Sequence, residues 1–215
     1  MHPIWNMVHT ERAGLMEDLK HVSDDDWKMD SLCSGWTVHD VAAHLVDCAL
    51  TTSGNFAVTM MRAGFDFNRQ NARGVAANRG ATPAETLTRL SEVVHRSSGP
   101  PRILAPLASR LVEEIAHGED IRRPLGITRN YPSDAVAKAI RYQVWTGVKF
   151  GGAKELVNSV QLVSDNSDLE IGDGPAITGP ALELLMLVSG RSPRQGSLSG
   201  PGMEDIEVPG NDKAF

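Results

Sequence analysis

No apolar run in the 215 residues approaches the roughly 20 needed to span a bilayer, so no transmembrane helix is expected. A block of positive charge is also missing: 21 Lys+Arg stand against 27 Asp+Glu, for a formal net charge of −6. That balance argues against nucleic acid as the main partner and against a polybasic membrane anchor. Cysteine is scarce, with only Cys33 and Cys48. Two cysteines do not make a disulfide framework in a chain this long, and no CxxC pattern exists for a zinc finger or an internal redox centre. A reduced pair of free thiols and a cytoplasmic location are expected. The start, Met1-His2-Pro3-Ile4-Trp5-Asn6, has no basic stretch leading into an apolar one, so no secretory signal is expected. What is present is enough apolar residue, 41%, to exclude a wholly disordered chain. The length allows one large domain or two small ones.

Helical periodicity dominates the first 150 residues. Ile4, Val8, Leu15, Leu19 and Val22 recur at nearly helical spacing, and Asp24-Asp25-Asp26 ends that segment. Thr37 and Asp40 read as a capping box opening a second helix, with Val38, Val41, Ala42, Leu45 and Val46 as its apolar stripe. Residues 56–80, rich in Gly and Arg, read as a helix end followed by a mobile connection. Thr82-Pro83-Ala84-Glu85 opens a third helix. Pro106 opens a fourth that ends at Gly118, and Pro132-Ser133-Asp134 a fifth. After Gly151-Gly152 the pattern changes. Short β-branched runs at 160–164, 169–171 and 176–178 read as strands, 180–189 as a buried helix, and 197–199 as a returning strand. The expected fold is mainly α: an up-down helical bundle over residues 1–150, then a small α+β domain over 151–215. The tail from Pro209 is expected to fray.

Seven histidines are present, most of them expected to be ordinary surface or boundary residues. Glu113 and His117 stand out because they are four apart on one helix, stacked a turn apart on one face. A carboxylate oxygen and an imidazole nitrogen so placed can bind one divalent metal. A helical Glu–His hydrogen bond explains the same spacing, and Glu114 with His117 is a competing pair. His44 borders the buried stripe of the second helix. With Glu113 and His117 it makes two His and one carboxylate from two helices, which is the donor set of a catalytic zinc with an open position. Cys48, four residues beyond His44, shares its helix face and can supply a fourth ligand.

The stretch Cys33-Ser34-Gly35-Trp36-Thr37-Val38-His39-Asp40-Val41-Ala42-Ala43-His44-Leu45 resembles the approach to the metal-binding helix of the mycothiol-dependent maleylpyruvate isomerase family, in the DinB-like helical-bundle superfamily. Residues 110–126, from Arg110 through Glu113 and His117 to Gly126, match its second metal-binding stretch. Residues 177–191, ending in Gly190-Arg191, resemble the helix and Gly-Arg end of its small C-terminal domain.

The resemblance implies that His44, Glu113 and His117 hold a divalent metal, usually zinc, and it favours Glu113 over Glu114. It implies no cysteine ligand, leaving Cys48 as a small apolar residue packed in the bundle. Asp120 matches an acidic residue that can orient a ligand from behind, or else cap the loop and pair with Arg122 or Arg123. The implied cosubstrate is mycothiol. Its thiolate adds to a cis-enoyl diacid and is expelled after bond rotation in the isomerases, or stays attached to an electrophile in the S-transferases. Arg191, Arg122 and Arg123 are candidates to grip a substrate carboxylate. Two alternatives remain: a metal-dependent hydrolase using zinc-bound water, and a non-catalytic metal-bearing bundle that binds a ligand or partner.

Overall fold

The computed structural model describes residues 2–206. Two compact units divide the chain, residues 2–129 and 130–206 among those described.

In the first unit, α1 (Pro3–Leu19) starts under a cap from the His2 ring, with Pro at a position whose missing N–H costs nothing. The capping box reads true: the Thr37 side chain accepts from the Asp40 N–H, and the Asp40 carboxylate accepts from the Thr37 N–H, opening α2 (Val38–Leu50). Replacing Thr37 with Ala should destabilise the protein by about 1 kcal/mol. Urea denaturation measures this, and an unchanged midpoint would contradict it.

Residues 56–80 are not a mobile connection. They hold two helices, α3 (Ser53–Arg62) and α4 (Phe67–Asn78). Thr52 and Asn55 form a second capping box, Asp66 caps α4, and Gly64 takes a left-handed turn between them. The period was hidden because α4 buries only Gly74 and Val75. Gly74 lets α4 approach α2 closely: a Cβ there would stand 2.2 Å from the Asp47 carboxylate, which Asn78 holds at 3.0 Å.

Next come α5 (Pro83–Val93), capped by Thr82, and α6 (Ser109–Arg122). The latter differs from expectation at both ends. It begins three residues after Pro106, and Gly118 lies inside it. Glu119, Asp120, Ile121 and Arg122 are all buried, so packing carries the helix past a residue of poor helical propensity. Four helices close a ring of contacts, α1 with α6, α6 with α2, α2 with α5 and α5 with α1. Inside it, Leu15, Leu19, Val41, Leu45, Leu90 and Ile121 form one apolar core with Trp27 and Cys33.

The second unit begins earlier than residue 151, because α7 (Ser133–Trp145) packs against α8 (Ala181–Val188) and clusters with the elements after it. Its sheet has the order β2-β1-β3. Strand β1 (Gln161–Ser164) pairs antiparallel with β2 (Glu170–Ile171) and parallel with β3 (Ala176–Gly179). The expected strand at 197–199 is reduced to one bridge, Ser199 to Thr178. The fold is thus mainly α, with the small sheet confined to the second unit. Among the described residues no helix is long and apolar enough to cross a membrane. The expected fraying from Pro209 falls outside them.

Candidate metal centre

All parts of the site lie in the first unit, on α2, α6 and the loop before α2. Successive helical residues point about 100° apart, so Glu113 and Glu114 face different neighbours. Glu114 faces α1, where Arg12 holds it in a buried ion pair. Glu113 faces α2, its Oε2 standing 3.5 Å from His44 Nε2 and 3.4 Å from His117 Nε2. The two imidazole rings meet edge to face at 4.8 Å. Trp36 lies tilted over His44 with ring centroids 5.1 Å apart.

Behind His117 sits a second group. Its Nδ1 is 2.9 Å from Asp120 Oδ2 and 3.5 Å from Cys33 Sγ, and the Cys33 thiol donates to the same carboxylate at 3.0 Å. Asp120 is fully buried. An Nδ1–H···carboxylate bond fixes the tautomer and leaves Nε2 to face Glu113 and His44. Cys33, His117 and Asp120 are also close enough to form a donor cluster of their own, as are His44, Cys48 and Glu113.

Burial and neighbouring charge act differently on the four groups. Burial opposes ionisation of Glu113, yet hydrogen bonds from His117 and His44 and the charge of Arg110 hold its carboxyl well below the usual range. Burial also disfavours a charged His117, but its contacts with Cys33, Asp120 and Glu113 outweigh that and hold the ring well above the ordinary imidazole value. Burial pulls His44 down, towards the neutral form that ligates metals. The Cys48 thiol is pushed well up, by burial first and then by the charge of Glu113.

The donor set fits a divalent metal. Zinc bond lengths of about 2.0–2.1 Å in tetrahedral geometry put neighbouring N and O donors about 3.3–3.4 Å apart. The two distances to Glu113 Oε2 are close to that. His44 Nδ1 is buried and has no hydrogen-bond partner among the described residues, so Nε2 is the nitrogen turned to the cluster.

Two of the arginines expected to grip substrate have carboxylate partners within the first unit. Arg122 is buried, its Nε 2.7 Å from Asp18, and Arg123 Nε is 2.9 Å from Glu119 on its own helix. Arg191 belongs to the second unit, where its Nη1 donates to the Ser189 carbonyl at 2.6 Å. Arg110 reaches the cluster, with Nη2 3.5 Å from Glu113 Oε1. Its position three residues before Glu113 is the signal in the sequence that places it on the same helix face. Arg110 also lines a cavity of about 270 Å³ together with Arg102, Thr52, Ser97 and Ser98. Cys33 had no such signal, since it meets Asp120 across 87 residues of chain. Among the described residues neither cysteine forms a disulfide.

Residues 8–101 match the family model described as the mycothiol maleylpyruvate isomerase N-terminal domain. A search of curated protein sequences gave no match. Among solved structures, the crystal structure of the mycothiol-dependent maleylpyruvate isomerase is similar over 96% of this chain and 95% of that one, with a TM-score of 0.65 and 14% identity. A histidine-to-alanine mutant of that enzyme is similar over the same shares, with a TM-score of 0.62 and 14% identity. Residues 8–101 thus match the model of the mycothiol maleylpyruvate isomerase N-terminal domain, and the chain has the fold of the solved mycothiol-dependent maleylpyruvate isomerase.

Proposed function

We infer that the protein is a metal-dependent enzyme that uses a small thiol, mycothiol, against an electrophilic and anionic substrate, as an isomerase or an S-transferase. The observation that carries this reading is the convergence of His44 Nε2 and His117 Nε2 on one oxygen of an ionised Glu113, with Asp120 behind His117. A zinc ion held by these three residues would lower the pKa of a bound thiol, so that the nucleophilic thiolate exists at neutral pH. Asp120 accepts the Nδ1 proton of His117 and keeps Nε2 aimed at the centre. The Cys33 thiol donates to the same carboxylate and helps hold it in place.

The substrate side rests on Arg110 and the cavity it lines. Arg110 and Arg102 bring positive charge there, and the hydroxyls of Thr52, Ser97 and Ser98 add polar groups, a lining suited to a carboxylate. With Nη2 beside Glu113, Arg110 ties that cavity to the donor cluster. The similar solved enzyme is named for maleylpyruvate, a carboxylate substrate. Arg122 and Arg123, already engaged by carboxylates, act in this reading as structural residues.

Metal analysis of the purified protein followed by titration calorimetry with mycothiol tests the proposal. About one divalent ion per chain and saturable thiol binding are expected. Zinc protein that binds no thiol would overturn it, and turnover without a thiol would point to a hydrolase. Replacing Arg110 with Gln should raise KM for an anionic electrophile about 10- to 100-fold, the worth of one charge-assisted hydrogen bond. An unchanged KM would remove Arg110 from substrate binding.

A further inference from the structure

Cys48 was expected to be an apolar filler in the bundle. It sits one helical turn beyond His44, half-buried, with Sγ 3.4 Å from His44 Nε2 and 3.6 Å from Glu113 Oε2. A zinc–sulfur bond of about 2.3 Å beside bonds of about 2.0–2.1 Å to N or O, at a tetrahedral angle, separates S from N or O by about 3.6 Å. The same geometry separates N from O by about 3.3–3.4 Å. Four edges are thus in place among four donor atoms: two from Cys48 Sγ, and the 3.5 and 3.4 Å pairs from Glu113 to His44 and His117. Hydrogen bonding explains each contact singly. It does not require four such contacts between two helices to take the separations that donors around one zinc ion take.

We propose that Cys48 Sγ is the fourth protein donor of the metal centre, beside His44, Glu113 and His117. The proposal rests on the reading that those three residues hold a metal. It makes the resting centre a closed one with four protein donors, so that an external thiol competes with Cys48 for its place. It also gives a role to a thiol that lies against both His44 and Glu113.

Cobalt(II) in place of zinc reports the donor directly, because a thiolate ligand produces a near-ultraviolet charge-transfer band that nitrogen and oxygen donors do not. The cobalt-loaded full chain, with no added thiol, should show this band. Cys48→Ser should lose it while keeping its helical circular dichroism, and Cys33→Ser should keep it. Zinc affinity in Cys48→Ser should fall by more than the roughly 10- to 100-fold that follows loss of a group that only orients a donor. In the wild-type protein, zinc should protect Cys48 from alkylation and a chelator should expose it, as mapped by mass spectrometry. That measurement decides the matter even if Cys48→Ser does not fold.

Cobalt bound without the band, with Cys48 alkylated equally in both states, would overturn the proposal and leave the three-residue centre standing. A band lost in Cys33→Ser instead would place the metal on Cys33, His117 and Asp120, overturning both readings. Wild-type protein that binds neither ion would also overturn both.

Discussion

Substituting His44 with Ala is expected to reduce the divalent metal content from about one ion per chain to none, with little change in helical circular dichroism. His44 contributes a nitrogen to the donor cluster, while its Nδ1 makes no hydrogen bond among the described residues and its neighbours on α2 carry the packing. The helix keeps its capping box and its buried face of Val41, Ala42, Leu45 and Val46. The second effect is thermodynamic. A ligand present at about 100 times its Kd stabilises the folded state by about 2.7 kcal/mol. Added zinc should therefore stabilise the wild-type protein against urea by about that amount and leave His44→Ala unmoved. Full occupancy in the variant, measured after dialysis by elemental analysis, would refute the assignment.

The other large effect is on folding. Arg12 on α1 is fully engaged: Nε donates to Glu114 at 3.0 Å and Nη1 to the Val93 carbonyl at 2.8 Å, with the Val94 and Arg96 carbonyls at 3.4 and 3.3 Å. Nη2 completes the ion pair with Glu114, and both side chains are only 2% exposed. One guanidinium thus ties α1 to α6 and satisfies the carbonyls at the end of α5. Burial pushes the Glu114 carboxyl up and Arg12 opposes that shift, so losing the arginine strands a carboxyl in a dry site. Arg12→Met, which fills similar space without donors, should cost about 3–5 kcal/mol. Urea denaturation would measure it, and a loss below about 1 kcal/mol would mean that the site relaxes or admits water. Glu114→Gln should cost less, because burial already disfavours the charge it removes.

The two predictions separate what two adjacent glutamates do. Glu113 and Glu114 are alike in composition and neighbours, and both can pair with His117 by spacing alone. A rotation of about 100° along the helix assigns one to the donor cluster and the other to an ion pair with α1. Spacing alone could not choose between them, and only the family resemblance favoured Glu113.

What the sequence by itself determined is local. The boundary of α2 follows from Thr37 and Asp40, three residues apart, because a capping box satisfies backbone groups within one turn of chain. The start of α5 follows from Thr82 and Pro83 in the same way. The Glu113–His117 pair is legible because helical geometry alone brings residues four apart together. The tertiary structure decided everything that depends on which faces meet. The presence of α4 rests on packing against α2 rather than on an apolar stripe of its own. The run of α6 past Gly118 depends on burial of the turn that follows it. The unit boundary near residue 130 depends on α7 packing against α8.

The same holds for the chemistry. Asp120 supports His117 together with Cys33 across 87 residues, Arg12 claims Glu114 across 102, and Cys48 meets Glu113 across 65. Local rules act over one turn of helix and leave such partners undetermined. Contacts of that range form only when several helices bury their faces together, and the burial then decides which polar groups have to find one another.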